Sequence, residues 1–231
     1  MLRKLLRWTG WLVGLFLALS VVSVGTLRWL DPPTSSFMLQ HWLAGRLGMI
    51  EGAQVHHEWV DWSSIPSEMA LAVIAAEDQR FPRHHGFDLV EIRRALARFE
   101  SGGKLRGAST ISQQTAKNLF LWSGRDYVRK GLEAWFTFLI ETLWSKQRIL
   151  EVYLNIAQFG PNTFGVGAAS WQYFDRPVQA IGAQQASLLA AVLPNPVRYR
   201  VDRPSAWVER RAGWIRRQMN NLGGTSYLSK L

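Results

Sequence analysis

The 231-residue chain has no cysteine, so neither a disulfide framework nor a thiolate metal site is available to it. Acidic residues are scarce: 17 Asp and Glu against 27 Lys and Arg leave a net charge of +10. A surface biased this way suits polyanions, whether nucleic acid, anionic lipid or a pyrophosphate-bearing substrate. Histidine is sparse too. His56–His57 and His84–His85 are adjacent pairs whose side chains diverge on a helix or strand, so no dedicated histidine-ligated zinc site is expected. There is no internal repeat and no low-complexity tract. Tryptophan, by contrast, is plentiful at 12 residues, a type that favours core packing, membrane interfaces and carbohydrate-like surfaces.

One long uncharged run, Trp8 to Leu27, follows Arg3, Lys4 and Arg7 and is closed by Arg28. At 1.5 Å per residue it spans the roughly 30 Å hydrocarbon core, and Trp8, Trp11 and Trp29 stand near its ends as interface anchors do. A cleaved signal peptide would have a shorter apolar region and an A-x-A-like site. The run therefore reads as an anchor. The leading positive charges put the N-terminus in the cytoplasm and the rest of the chain outside the inner membrane. No ATP or nucleic acid is at hand there, so a nucleic-acid partner is not expected.

Residues 1–30 are thus expected to be a cytoplasmic stub and transmembrane anchor, 31–50 a linker and juxtamembrane segment, and 51–231 one mainly α domain. Asp31 to Ser36, with two prolines, leaves the membrane, and Phe37 to Ile50 suits a short helix near the bilayer. Val55 to Val60 suits a short strand. Helices are expected over Ile65–Phe81, from Asp88 to a stop at Gly102–Gly103, from Thr110 to about Phe120, and over Tyr127–Trp144 and Lys146–Gln158. After a turn at Gly160–Gly165, further helices are expected over Ala168–Phe174, Val178–Leu193 and Ser205–Leu222. The second helix carries an apolar stripe, Leu89, Ile92, Leu96 and Phe99.

Three segments hold groups suited to chemistry. Glu77 shares an apolar helix face with Val73 and Ile74, and burial raises a carboxyl pKa toward the range of a general acid or base. A helix-end ion pair with Arg80 or Arg83 accounts for the same residue. Gly107 leads into a helix start whose free N–H groups favour an anion, and Thr110, Gln113, Gln114 and Lys117 then share one polar face without an acid. A solvated face is the plainer reading. Arg125, Arg129, Lys130 and Glu133 follow; a surface ion pair of Arg129 with Glu133 would explain the last spacing. From Arg93 to Lys130, however, nine basic residues face two acidic ones, more excess than one pair uses.

Taken together these segments resemble glycosyltransferase family 51, the peptidoglycan glycosyltransferases. Glu77, Asp78, Phe81, His84 and Gly86 match E-D-x-x-F-x-x-H-x-G. Gly107, Ser109, Thr110, Ile111, Gln113, Gln114, Lys117 and Asn118 match G-x-S-T-I-x-Q-Q-x-x-K-N. Arg129, Lys130 and Glu133 match R-K-x-x-E. Lys146, Ile149–Glu151, Tyr153–Asn155 and Gly160 match a fourth motif, and Gly165–Val166, Ala168–Ala169 and Tyr173–Phe174 a fifth. One departure is Gln185, where the family's helix often carries Glu. Ser101 and Lys104 fit S-x-x-K by chance, since no S-D-N or K-T-G occurs.

The resemblance implies a lysozyme-like helical domain, a membrane-dipping part near Gly103–Lys130, and lipid II and the growing glycan strand as substrates. With no room for a transpeptidase domain, the chain resembles the monofunctional members. Glu77 would be the catalytic base and Glu133 a second catalytic carboxylate. Asp78, Phe81, His84, Ser109, Thr110, Gln113, Gln114, Lys117, Asn118, Arg125, Arg129 and Lys130 would bind substrate. A divalent metal, Mg or Mn, is a candidate companion of the substrate pyrophosphate; no organic cofactor is implied, and no metal ligand is assigned. Membrane lipids and cell-division or cell-wall synthesis proteins are candidate partners. A lytic transglycosylase or lysozyme-type hydrolase shares the sugar and a catalytic Glu but has no use for a cationic cluster. A membrane-tethered scaffold would leave Glu77 without a role.

Overall fold

A computed structural model describes residues 1–103, 109–124 and 126–231. Gly107 of the second motif and the basic residue Arg125 lie outside the described residues.

The first helix, α1 (Leu2–Thr26), contains one stretch, Leu6–Thr26, long and apolar enough to cross a bilayer. Most of its side chains are exposed, but Ser20 and Val24 are buried against the rest of the protein. The partner is α6 (Tyr127–Leu143) and the residue after it. Trp135 Nε1 donates to Ser20 Oγ at 3.0 Å, Trp144 Nε1 donates to the Val24 carbonyl at 2.8 Å, and the rings of Phe16 and Phe136 meet edge to face. The short helix α2 (Ser36–Arg46) is also docked: Gln40 bonds the Leu121 carbonyl and the Ser123 N–H, and His41 Nε2 lies 2.9 Å from Asn162 Oδ1.

The core is organised around α3 (Ser67–Glu77), in which Met69 to Ala75 are all buried. A helix apolar on every side must be covered on every side. The cover comes from α9 (Ala183–Val192), α10 (Ala206–Asn221) and a C-terminal 3₁₀ segment, Gly224–Lys230, whose Tyr227 hydroxyl donates to the Gln79 carbonyl at 2.8 Å. Beside this unit, α5 (Ile111–Phe120) packs on both α6 and α7 (Lys146–Ile156), with α8 (Val166–Phe174) completing that side.

The expected helices form, except that the one expected over Val178–Leu193 is a 3₁₀ turn, Val178–Ala180, followed by α9; three further departures are informative. The strand expected over 55–60 is only β1 (His56–His57), paired in parallel with β2 (Thr163–Phe164). Val60 is claimed instead by Asn155, whose side-chain amide takes its N–H and its carbonyl, both at 2.8 Å. Next, α3 stops at Glu77 rather than Phe81, because Asp78 leaves the helical conformation (φ −159°) and turns its carboxylate toward His84 and Ile111. Finally, α4 (Leu89–Glu100) has its apolar stripe on the outside: Leu89, Leu96 and Phe99 are exposed and only Ala95 is buried.

Candidate active site

Glu77 is the last residue of α3 and sits on the wall of a cavity of about 510 Å³, together with Ser109, Thr110, Gln114, Arg211 and Trp214. Its Oε2 accepts from Gln114 Nε2 at 2.9 Å. Burial raises the Glu77 pKa above the ordinary carboxylate value; the Gln114 bond and the charges of Arg211 and Lys117 pull it back, and Asp78 adds to the rise. The ion pair with Arg80 or Arg83 allowed by the sequence is not the one formed: Arg80 is 3.1 Å from Asp88, and Arg83 has no carboxylate partner among the described residues. Environment, not position along the helix, makes Glu77 a base candidate.

Asp78, Phe81 and His84 build the floor beneath it. Both Asp78 oxygens lie 3.0 Å from His84 Nε2, and Oδ2 also accepts the backbone N–H of Ile111 at 3.1 Å. The fully buried Phe81 ring carries Lys146 Nζ at 4.4 Å from its centroid, and Lys146 in turn pairs with Glu141 at 2.7 Å. Glu141 also takes the hydroxyl of Ser112. No motif marked Glu141; its spacing to Lys146 crosses a helix end and gives no periodic signal.

The second motif starts α5 by a reciprocal cap. Thr110 Oγ1 accepts the Gln113 N–H at 3.2 Å, and Gln113 Oε1 accepts the Thr110 N–H at 3.0 Å. The Thr110 hydroxyl donates to the Gly86 carbonyl at 2.6 Å, joining the first two motifs. Gly86 itself has φ +86°, and a Cβ there would stand 2.7 Å from Thr137 Cγ2, so only glycine fits. Ser109 is exposed at the cavity wall, whereas Gln113 is buried in the cap. Asn118 has a buried Oδ1 without a partner among the described residues.

One turn beyond Gln114, Lys117 lies over the Phe37 ring of α2 and within electrostatic reach of both Glu77 and Glu133. Burial lowers its pKa; the attraction of Glu133 opposes this, and repulsion from Arg129 and Lys130 adds to it. Arg129 pairs with Glu133 at 2.8 Å, and Lys130 closes on the other Glu133 oxygen. With Glu133 at 3% and Arg129 at 8% exposure, this is no solvated surface pair. Three cations gather round one buried carboxylate, an excess that suits a multiply charged anion.

Two further residues face Glu77 without belonging to the first three motifs. Tyr153, buried in α7, donates its hydroxyl to Gln114 Oε1 at 3.2 Å. Arg211, on α10, donates to the Ala76 carbonyl at 2.9 Å and lies 4.3 Å from the Trp214 ring centroid.

Among the described residues, Asp78, His84 and Asp88 bring potential ligand atoms within 4.8 Å of one another. Asp78 is held by His84 and Ile111, and Asp88 Oδ1 by the N–H groups of Val90 and Glu91, while Asp88 Oδ2 faces the Arg80 guanidinium as an ion pair at 3.1 Å. A hard dication takes six or more oxygen ligands, and this closed, histidine-containing set does not fit a resident Mg. Both Glu133 oxygens are likewise held by cations.

A protein-family model described as Transglycosylase matches residues 45–220. A "Biosynthetic peptidoglycan transglycosylase" of Pseudomonas aeruginosa is 50% identical over 233 residues, covering 99% of this chain and 97% of that protein. A protein of the same name from Pseudomonas putida is 51% identical over 235 residues, covering 100% and 96%, and one from Xanthomonas axonopodis pv. citri is 50% identical over 233 residues, covering 98% and 93%. With its helical domain behind one apolar helix, its carboxylate-lined cavity and these likenesses along its whole length, the chain belongs to the transglycosylase family.

Proposed function

We propose that the protein is an inverting peptidoglycan glycosyltransferase that polymerises lipid II into β-1,4-linked glycan strands and releases undecaprenyl pyrophosphate. The observation that carries this reading is the adjacency of a half-buried, hydrogen-bonded carboxylate, Glu77, to a cationic cluster one helical turn along α5. Glu77 takes the proton of the GlcNAc 4-hydroxyl as its oxygen attacks C1 of the donor MurNAc. The bond from C1 to the phosphate oxygen breaks with its electron pair, turning an α linkage into a β one. Lys117, Arg129 and Lys130 stabilise the pyrophosphate charge that develops. Arg125 belongs to the same cluster by sequence. Glu133 holds Arg129 and Lys130 in place. Ser109 and Asn118 bind sugar or phosphate in this reading, while Thr110, its hydroxyl committed to Gly86 and to the cap of α5, shapes the wall beside them. Mg or Mn would enter with the substrate pyrophosphate, and no step is assigned to it.

The anchor, the docked α2 and the outward stripe of α4 support a catalytic domain lying on the outer face of the bacterial inner membrane, with the N-terminus in the cytoplasm. Leu89, Leu96 and Phe99, flanked by Arg93 and Arg98, suit the boundary between headgroups and acyl chains. Cell-division or cell-wall synthesis proteins are candidate partners. The cationic cluster counts against a hydrolase of finished glycan.

The test is polymerisation of lipid II by purified protein and by Glu77→Gln. Loss of the base lowers the rate by about 10²- to 10⁴-fold while the fold persists. Glycan chains made by the variant at the wild-type rate would exclude Glu77 as the base.

A further inference from the structure

Gln114 bridges two groups of different character. Its amide N–H donates to Glu77 Oε2 at 2.9 Å, and its carbonyl oxygen accepts the Tyr153 hydroxyl at 3.2 Å. An amide has a donor end and an acceptor end, so fixing one end fixes the other. Tyr153 is buried, and Gln114 is its only side-chain hydrogen-bond partner among the described residues. Turning the amide round would leave the phenol proton without an acceptor, and an unmet buried donor is costly.

We propose that Tyr153 is a positioning residue for Glu77: by donating to Gln114 it fixes which end of the amide meets the carboxylate and so keeps Glu77 a hydrogen-bond acceptor, ready to take a proton. The inference rests on Glu77 being the base. Burial, with the charges of Glu77 and Asp78, holds the Tyr153 phenol well above its usual range, so it stays a donor at every working pH. The charged groups around Glu77 come from several elements: Asp78 beside it, Lys117 on α5 and Arg211 on α10. Among the described residues only Gln114 makes a direct hydrogen bond to the carboxylate, and the Tyr153 hydroxyl bonds the other end of that amide.

The experiment compares the pH dependence of kcat/KM for lipid II in wild type, Tyr153→Phe, Gln114→Leu, the double variant and Glu77→Gln, with thermal midpoints recorded for each. A bond to an ionised group shifts a pKa by about one to two units, so the acid limb of Tyr153→Phe should move up by that amount and activity should recover at higher pH. KM should change less than kcat. Gln114→Leu should move the limb in the same direction, and the double variant should move it no further, because the two residues act through one bond. An unmoved limb in Tyr153→Phe, or shifts that add in the double variant, overturns the proposal. Should Tyr153→Phe not fold, an unmoved limb in Gln114→Leu overturns it equally. Activity retained by Glu77→Gln would instead remove the base assignment, and this inference with it.

Discussion

The carboxylate of Asp78 accepts the backbone N–H of Ile111 at 3.1 Å, so the residue after Glu77 also holds the first turn of the helix that carries Gln114 and Lys117. Helix starts leave N–H groups unpaired, and a carboxylate there gains from the dipole as well as from the bond. One side chain thus sets the spacing between base and cations. The same oxygens meet His84, so α3, the loop after it and α5 share a single buried node.

Asp78→Ala should cost about 3 kcal/mol, because the Ile111 N–H and His84 Nε2 lose their acceptor in a buried setting. Activity should fall more steeply than stability does, since α5 is freed to shift against Glu77. Thermal melting and polymerisation rates, taken together at a temperature where the variant is folded, check both parts. A folded variant with full activity would show that this node does not set the site.

Glu77 makes stability and activity pull in opposite directions. Its pKa is raised in the folded protein above its ordinary value of 4.5. Between these two values the folded chain binds more protons than the unfolded chain, so stability drops as pH rises through that window. Above the folded pKa the full cost of the buried charge is in place; below 4.5 it is absent. Glu77→Gln, neutral throughout, should therefore melt higher than wild type at pH 7.5 and lose that advantage in acid. Wild-type polymerisation should fall off on the acid side at a pH above the ordinary carboxylate value. Equal melting of the two proteins at every pH would show that the burial of Glu77 carries no cost.

The sequence disclosed what local chemistry decides. The start of α5 was readable because Thr110 and Gln113 cap each other three residues apart. The spacing of Arg129 and Glu133 suggested their contact, but not its burial, which depends on α5 packing across α6. Tyr153 and Arg211 went unread as site residues because their partners come from distant segments, and Glu141 because its partners Ser112 and Lys146 lie on other helices. The stripe on α4 was visible as amphipathic, yet periodicity cannot say whether such a face meets protein or something else. Gln185, where the family often has Glu, accepts the Gly182 N–H through its Oε1 at 3.2 Å, so the amide keeps the cap of α9.

Removing Glu133 should expose the strain among the cations. Glu133→Gln leaves Lys117, Arg129 and Lys130 close together without a counter-charge, and breaking a buried pair costs about 3–5 kcal/mol. If the cluster exists to receive pyrophosphate, millimolar inorganic pyrophosphate should raise the melting temperature of the variant more than that of wild type. No response to pyrophosphate in either protein would separate the cluster from the leaving group.

The apolar helix α1 packs as part of the fold, and Arg148 tests this. Its guanidinium donates to the carbonyls of Leu27, the C-cap of α1, and Leu30 and to Asp31 in the turn that follows, while also pairing with Glu151 on its own helix. The C-terminal end of a helix carries the negative end of its dipole, so a fixed cation there is favoured and orients it. Since α6 carries Arg129 and Glu133 and also receives α1 through Trp135, the seating of α1 is tied to the helix that holds the cationic cluster. Arg148→Ala should weaken that docking by about 2 kcal/mol. Proteolysis between residues 28 and 35 should then become faster in detergent, and polymerisation of membrane-bound lipid II should fall more than that of a short-chain soluble analogue. Equal losses on both substrates would mean that Arg148 serves the stability of the domain alone.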